Sequence, residues 1–224
     1  MVEHSSPRSE SGKNAGVDLA FARSSVFSAE ECKALTVWAE AEGIADPASA
    51  DETTGWLTAE RDKQPPGRVR RPRAAIYDET FGERKIAKRY KELYLPPGTR
   101  HGVIIGFHRR LRQFMSTLNE RVWRFRLTRF SGMFIIRYEA GHEVGLHMDL
   151  SHEFPDRKLM AIVQLSAADS YEGGVLGFGV PLVAAPREQG SLLVFPAWVP
   201  HQVTPVTSGI RYSLVCGALG PSFR

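Results

Sequence analysis

The chain has 224 residues, 42% of them hydrophobic and 24% charged, close to the average of globular proteins and by themselves selecting no function. A chain of this size buries about 70–75% of its unfolded surface and needs no disulfide or structural metal to fold. A formal charge of +4 is too even a balance to point to a nucleic-acid binder, and no apolar run approaches the ~18 residues of a membrane span.

The segment Met1–Lys13 is polar and lacks the apolar core of a signal peptide, and residues 1–17 read as a disordered leader. The expected setting is cytoplasmic and reducing. The two cysteines, Cys32 and Cys216, are far apart and suit buried small hydrophobes rather than a disulfide framework or a metal knuckle. A helix is predicted from Ser28, because Ser28-Ala-Glu-Glu31 is a capping box with Phe27 placed to staple against Cys32. Leu35, Trp38 and Ala39 continue its apolar stripe, and Gly43 offers a stop.

Residues 46–72 have no period and read as a long loop or lid, in which Trp56 is either a packed anchor or a substrate-facing aromatic. Basic residues gather in two stretches, Arg61, Lys63, Arg68, Arg70, Arg71, Arg73 and then Arg84, Lys85, Lys88, Arg89, Lys91. They read as a solvated face or mobile loop, with a lid that attracts an acidic substrate as the alternative. A short strand is predicted around Ala74–Tyr77, a charged helix over about Thr80–Lys91, and a second helix over about Val103–Val122. In that second helix Ile104, Phe107, Leu111, Phe114, Met115 and Leu118 fall at core-facing spacing.

After about Arg124 short strand-like runs alternate with Gly- or Pro-containing turns: 134–138, 159–165, 175–178, 191–195 and 210–219. Many short strands at regular spacing indicate a sandwich or barrel. The organisation is mainly β with flanking helices in one domain: a leader (1–17), a helical part with a lid loop (18–123) packed on the core, and a β core (124–224).

The chemistry-bearing residues lie in that core. His147-Met-Asp149 is a His-x-Asp triplet, and on an extended strand positions i and i+2 share a face, so both can reach one ion. His201 follows the Pro196–Pro200 turn. Two imidazoles and one carboxylate are the facial triad of iron(II) oxygenases, which leaves one face of the metal open for a bidentate cosubstrate and oxygen. Arg211 comes within a short hairpin of His201 with Ser213 two residues on. A guanidinium grips a carboxylate through paired hydrogen bonds, as the distal carboxylate of 2-oxoglutarate requires. Each piece alone has a bland reading: an exposed or capping pair, a surface histidine, an arginine snorkelling from a strand. Their joint order is what carries the signal.

The set Arg137-Tyr-Glu-Ala-Gly141, Gly145-Leu-His-Met-Asp149, Val163-Gln-Leu-Ser166, Tyr171-Glu-Gly-Gly174, Phe195-Pro, His201-Gln-Val-Thr-Pro205 and Gly209-Ile-Arg-Tyr-Ser213 resembles the prolyl 4-hydroxylase-like 2-oxoglutarate/Fe(II)-dependent dioxygenases. The resemblance covers about Arg124–Arg224. It implies a double-stranded β-helix (a jelly-roll or cupin-like core), with Fe(II) on His147, Asp149 and His201, 2-oxoglutarate and O2 as cosubstrates, and ascorbate as a reductant. It further implies that Tyr138, and more loosely Gln164, contact the cosubstrate carboxylate beside Arg211 and Ser213. Collagen-type relatives use a Lys at the anchor, so their substrate chemistry does not carry over. Related halogenases lack the carboxylate that Asp149 supplies, which favours hydroxylation. His142 and His152 flank the triplet and are expected in loops beside the site, outside the metal shell.

The expected function is hydroxylation of an unactivated C–H bond of an amino acid, small peptide or natural-product intermediate, with release of succinate and CO2. A protein prolyl hydroxylase is the rival within the class, and a catalytically silent metal-binding β-barrel the rival outside it. A nucleic-acid demethylase is disfavoured because no second Arg follows Arg211 before Arg224. The expected partners are a small molecule or peptide, with no nucleic acid and no membrane. The sequence does not fix the oligomeric state.

Overall fold

The computed structural model describes residues 20–45, 73–81 and 84–223. The expected leader, the 46–72 loop with Trp56 and most of the first basic stretch lie outside them. The described elements run β1 (Phe21–Arg23), α1 (Ala29–Ala41), β2 (Arg73–Phe81), β3 (Arg84–Leu95), α2 (Gly102–Arg121), β4 (Arg129–Tyr138), β5 (Glu143–His147), β6 (Arg157–Gln164), β7 (Tyr171–Gly173), β8 (Leu176–Phe178), β9 (Val183–Ala184), β10 (Leu192–Pro196), β11 (His201–Val203), β12 (Val206–Gly209) and β13 (Arg211–Leu219).

The capping box forms as its residues dictate. Ser28 Oγ accepts from the Glu31 amide (3.2 Å), and the Ser28 amide donates to Glu31 Oε2 (2.9 Å). The same carboxylate takes two hydrogen bonds from Arg110 (2.8 and 2.9 Å), which ties α1 to α2. The helix ends at Ala41, with Gly43 at φ +85° just beyond. α2 buries Ile104, Phe107, Leu111 and Met115, with Phe114 and Leu118 partly buried beside them. Both cysteines are free and buried, and burial pushes each thiol up to about 12, as inert core residues. Among the described residues, no helix is long and apolar enough to cross a membrane.

One large sheet carries the order β1-β10-β6-β13-β4-β3-β5-β11-β8-β9, with β2 on β3, and β12-β7 form a separate pair. The pairing is antiparallel throughout. Alternation along each strand sorts side chains between two cores. Leu93, Leu95, Met133, Ile135, Leu159, Ala161, Val163, Leu192, Val194, Leu214 and Cys216 pack outward with the helices. Their sequence neighbours Tyr94, Phe134, Ile136, Met160, Ile162, Leu193, Phe195 and Val215 form the second cluster, inside the curled sheet. Burial on both faces explains why these strands read as continuous apolar runs. The curled antiparallel sheet with helices on its outer side is the double-stranded β-helix expected.

One element differs from the expectation. Residues 84–95 form a strand, not a helix, and the short 74–77 strand extends to Arg73–Phe81. The Lys-, Glu- and Arg-rich composition of 80–91 favours a helix locally, but β3 pairs with β4 from Lys91↔Arg137 to Leu95↔Met133 and with β5 at Lys88↔Val144. Tertiary pairing outweighs a helix preference of a few tenths of a kcal/mol per residue. The region before residue 124 thus contributes β1, β2 and β3 to the sheet.

The loop before β10 clasps the N-terminal segment. The Gly190 carbonyl accepts from the Val26 and Phe27 amides (3.0 and 3.2 Å), and its amide donates to the Gln164 carbonyl (2.8 Å). Gly190 sits at φ +78°, and a Cβ there would strike the Phe27 carbonyl. Gly190→Ala is therefore expected to cost at least ~1–2 kcal/mol from left-handed backbone alone. That corresponds to a fall in Tm of about 2–8 °C on thermal unfolding followed by circular dichroism, whereas an unchanged Tm would refute the clasp.

Candidate active site

His147 closes β5 and His201 opens β11, and the two residues are direct partners across the strand pair. Asp149 is not on the strand as the i, i+2 argument supposed. β5 ends at His147, and the chain turns so that the Asp149 and Leu150 amides both donate to the Ala197 carbonyl (2.9 Å each). That carbonyl belongs to the turn leading into β11, so one backbone acceptor pins the carboxylate loop beside the second histidine. The three side chains converge all the same: His201 Nε2 lies 3.4 Å from Asp149 Oδ2 and His147 Nε2 3.9 Å from Asp149 Oδ1. All three candidate donor atoms fall within 4.8 Å of one another. Metal–ligand bonds of ~2.1 Å put neighbouring donors roughly 3 Å apart, so small side-chain movements suffice to hold one ion.

The tautomers suit that task. His147 Nδ1 lies 2.9 Å from the Gly145 carbonyl, and His201 Nδ1 lies 3.0 Å from the Val199 carbonyl. A carbonyl can only accept, so each Nδ1 carries the proton and each Nε2 offers its lone pair toward Asp149. Phe195 and Phe178 flank the His201 ring at 4.8 and 5.9 Å between centroids and wall it from water.

Burial, then the charge of neighbouring His201, push His147 down to about 3, against the pull of Asp149. Burial opposes ionisation of Asp149, yet His201, His147, Arg157 and Lys88 together hold its carboxyl below the usual range. At neutral pH the site therefore presents a carboxylate and a neutral His147, the forms a divalent cation binds. The metal-free protein should lose stability as pH falls from about 6.5 toward about 3, where unfolded His147 binds a proton that the folded residue refuses. The slope is at most ~1.4 kcal/mol per pH unit from this group. Denaturant unfolding at several pH values with and without His147→Gln measures it, and equal slopes for both proteins would refute the assignment.

A second cluster lies on the adjacent strands. Arg211 begins β13 opposite Tyr138 at the end of β4, and Ser213 pairs with both Ile136 and Gln164. Arg211, Ser213, Gln164 and Tyr138 are all buried. Arg211 Nη2 donates to Gln164 Oε1 (2.8 Å), while Gln164 Nε2 donates to the Pro186 carbonyl (3.1 Å), which fixes the amide's orientation. Arg211 Nε and Nη1 are buried and have no hydrogen-bond partner among the described residues. Its guanidinium carbon stands 5.0 Å from the Tyr138 ring centre. Burial pushes the Tyr138 phenol up, with Arg211 and Ser213 pulling the other way and the Asp149 charge adding to the rise. Tyr138 thus lies within electrostatic reach of both clusters. A Cβ on Gly174 would sit 3.0 Å from Arg211 Cδ and 2.9 Å from Val206 Cγ2, so a bare glycine makes room for the guanidinium stem.

Two unpartnered donors on a buried guanidinium are costly unless an anion completes them. The pairing of that cation with a three-donor metal cluster is what a dianionic keto acid needs, one end chelating the metal and the other held by the fork. The residues present fit Fe(II) and 2-oxoglutarate.

All seven residues singled out from the sequence fall in these two clusters. His142 and His152 lie outside the metal group, in the turn before β5 and the loop after Asp149. Sequence reasoning missed Lys88 and Arg157, which act on the ligands, and Gly174. Lys88 was hidden by the helical reading of 80–91. The signal was there in the period-2 series Lys88, Tyr90, Glu92, Tyr94.

Comparison with known proteins agrees with this geometry. Residues 133–216 match the sequence model of the 2OG-Fe(II) oxygenase superfamily. A PKHD-type hydroxylase of Burkholderia ambifaria is 40% identical over 85 residues, 34% of this chain and 37% of that protein, and one of Pseudoalteromonas atlantica is 36% identical over 86 residues, again 34% and 37%. The matched stretch thus spans little more than a third of the curated relatives. Among solved structures, a prolyl-4-hydroxylase of Pseudomonas putida shares the fold with a TM-score of 0.63 at 16% identity, covering 90% of this chain and 92% of that one. A prolyl hydroxylase of Trichoplax adhaerens, solved with a peptide fragment of hypoxia inducible factor, gives 0.61 at 15% identity, covering 90% and 84%. The matched stretch 133–216 contains every residue of the two clusters. Over residues 133–216 the chain is similar to the 2OG-Fe(II) oxygenases, and in fold it is similar to prolyl hydroxylases.

Proposed function

We propose that this protein hydroxylates an unactivated C–H bond of an amino acid, a small peptide or a natural-product intermediate, converting 2-oxoglutarate to succinate and CO2. The observation that carries the reading is the buried Arg211 fork with two unpartnered donors, on strands adjoining a His-Asp-His group. His147, Asp149 and His201 would hold Fe(II), and Arg211, Ser213 and Tyr138 would hold the distal carboxylate of 2-oxoglutarate, with Gln164 orienting Arg211. Bound iron, with 2-oxoglutarate and O2, supplies the oxidant for C–H cleavage. The chain's own contribution is positional. The carbonyls of Gly145 and Val199 aim both imidazoles, the Ala197 carbonyl fixes the carboxylate loop, and Phe178 and Phe195 exclude water from the His201 side.

Similarity to prolyl hydroxylases, one of them bound to a peptide, supports a peptide as the alternative substrate. Two buried free thiols suit a reducing compartment, and the cytoplasm is the setting we assign. The test is anaerobic addition of Fe(II) and 2-oxoglutarate to the protein. A weak visible charge-transfer band of the chelate, followed by iron- and oxygen-dependent succinate release in air, is expected. Absence of the band would overturn the reading, and a band without turnover toward any substrate would favour the catalytically silent module.

A further inference from the structure

One short segment between β9 and β10 braces the Arg211 anchor through both of its neighbours. The Pro186 carbonyl accepts from Gln164 Nε2 (3.1 Å), which turns Gln164 Oε1 toward Arg211 Nη2 (2.8 Å). The next residue, Arg187, reaches Tyr171. Its Nη2 donates to the carbonyls of Ala168 (3.2 Å) and Tyr171 (2.9 Å), and its guanidinium carbon stands 4.4 Å from the centre of the Tyr171 ring. Gln189 fastens the same segment to β6, its Nε2 donating to the Leu165 carbonyl (2.8 Å). Tyr171 is buried, and its ring lies where the Arg211 stem passes. A Cβ on Gly174 would meet Tyr171 Cε2 at 3.3 Å and Arg211 Cδ at 3.0 Å, so ring edge and stem converge on one point. The backbone joins them as well: Tyr171 opens β7 opposite Gly209 of β12, two residues before Arg211.

We propose that Arg187 is a positioning residue for cosubstrate recognition: clamped on Tyr171, it holds the Arg211 fork in the orientation that receives the distal carboxylate of 2-oxoglutarate. This rests on the oxygenase reading above, in which Arg211 is that receiver. Arg211 Nε and Nη1 have no partner among the described residues, so the aim of the fork is set by Gln164 and by what packs against its stem. A guanidinium that stacks on a ring and donates to the same residue's carbonyl fixes that ring more firmly than packing alone. A fork fixed in advance binds without first giving up rotamer freedom, and a loosened one loses that part of its affinity. Arg187 acts through the ring. Its removal therefore weakens the grip on the distal carboxylate and leaves the keto-acid end of the cosubstrate untouched.

The test is anaerobic titration of the Fe(II)-loaded protein with 2-oxoglutarate and with pyruvate, which lacks the distal carboxylate, the chelate band reporting each Kd. Arg187→Met is expected to raise the Kd for 2-oxoglutarate about 5- to 20-fold and to leave that for pyruvate unchanged. In turnover the KM for 2-oxoglutarate should rise in parallel while kcat at saturating cosubstrate holds. Arg187→Lys, which keeps the charge but not the stacked fork, should recover part of the loss. If Arg187→Met lowers Tm too far for titration, Arg187→Lys carries the test, its smaller loss confined to 2-oxoglutarate. In Arg211→Leu, where no fork is left to aim, adding Arg187→Met should change neither Kd further. An undiminished preference for 2-oxoglutarate in Arg187→Met, or equal weakening of both keto acids, would overturn the inference. So would an additive loss in the double variant, or full recovery in Arg187→Lys, which would assign the effect to charge alone. Failure of the oxygenase reading looks different: no band in the unaltered protein, or no preference for 2-oxoglutarate over pyruvate before any substitution.

Discussion

Asp149→Ala is expected to lower iron-dependent succinate formation by on the order of 1000-fold or more, with the far-ultraviolet circular dichroism of the protein unchanged. The residue is held by backbone contacts that the substitution leaves intact, since its own amide and that of Leu150 bind the Ala197 carbonyl. What is lost is the only carboxylate of the three-donor group and the negative charge that makes a divalent cation welcome between two imidazoles. With it goes the metal's thermal stabilisation, because an ion that binds only the folded state raises Tm in proportion to the logarithm of its concentration over Kd. Titration of Fe(II), or of Mn(II) as an oxygen-stable surrogate, against Tm separates a binding defect from a chemical one. The unaltered protein should climb with metal and Asp149→Ala should stay flat. Equal turnover in both proteins would remove Asp149 from the centre altogether.

The features that could be read from the chain and those that could not divide along physical lines. The capping box at Ser28 was legible because its two hydrogen bonds join residues three apart. The α2 stripe was legible because one helix face is buried and the other is not. Strands β4, β6, β8, β10 and β13 were legible as continuous apolar runs because both faces of the sheet are covered there. β3 was not, since its Lys-, Arg- and Glu-rich first half satisfies a helix as well as a strand until β4 and β5 are there to pair with it. The metal group was found by an argument only half right. His147 and Asp149 converge through a turn pinned at Ala197, not through strand alternation, and no local rule reveals that a carbonyl 48 positions away sets the carboxylate. The pairing of His201 with His147, and of Arg211 with Tyr138, belongs to the topology and was visible only as order along the chain. The same blindness concealed the burial of Lys88, which exists only once β3 lies against β5.

Arg211→Leu is expected to raise the KM for 2-oxoglutarate on the order of 100- to 1000-fold, because two charge-assisted hydrogen bonds to one carboxylate disappear together. The structure also predicts how the defect differs from a general loss of fold. Arg211 is 1% exposed and donates to Gln164; Gln164 is retained through the Pro186 carbonyl. Leucine fills part of the guanidinium stem beside Gly174 and Val206. Removing a cation whose Nε and Nη1 lack partners relieves a desolvation cost in the cosubstrate-free state, so that state should keep its Tm or gain slightly. Keto acids that lack the distal carboxylate, such as pyruvate, provide the decisive comparison. The unaltered protein should prefer 2-oxoglutarate over pyruvate by the full worth of the anchor, and Arg211→Leu should erase that preference without worsening the use of pyruvate. Arg211→Lys should fall between, since an ammonium restores the charge but not the fork that Nε and Nη1 present. A variant that weakens both keto acids equally would place Arg211 in a supporting role for the barrel, and the buried donors would need another anion to explain them.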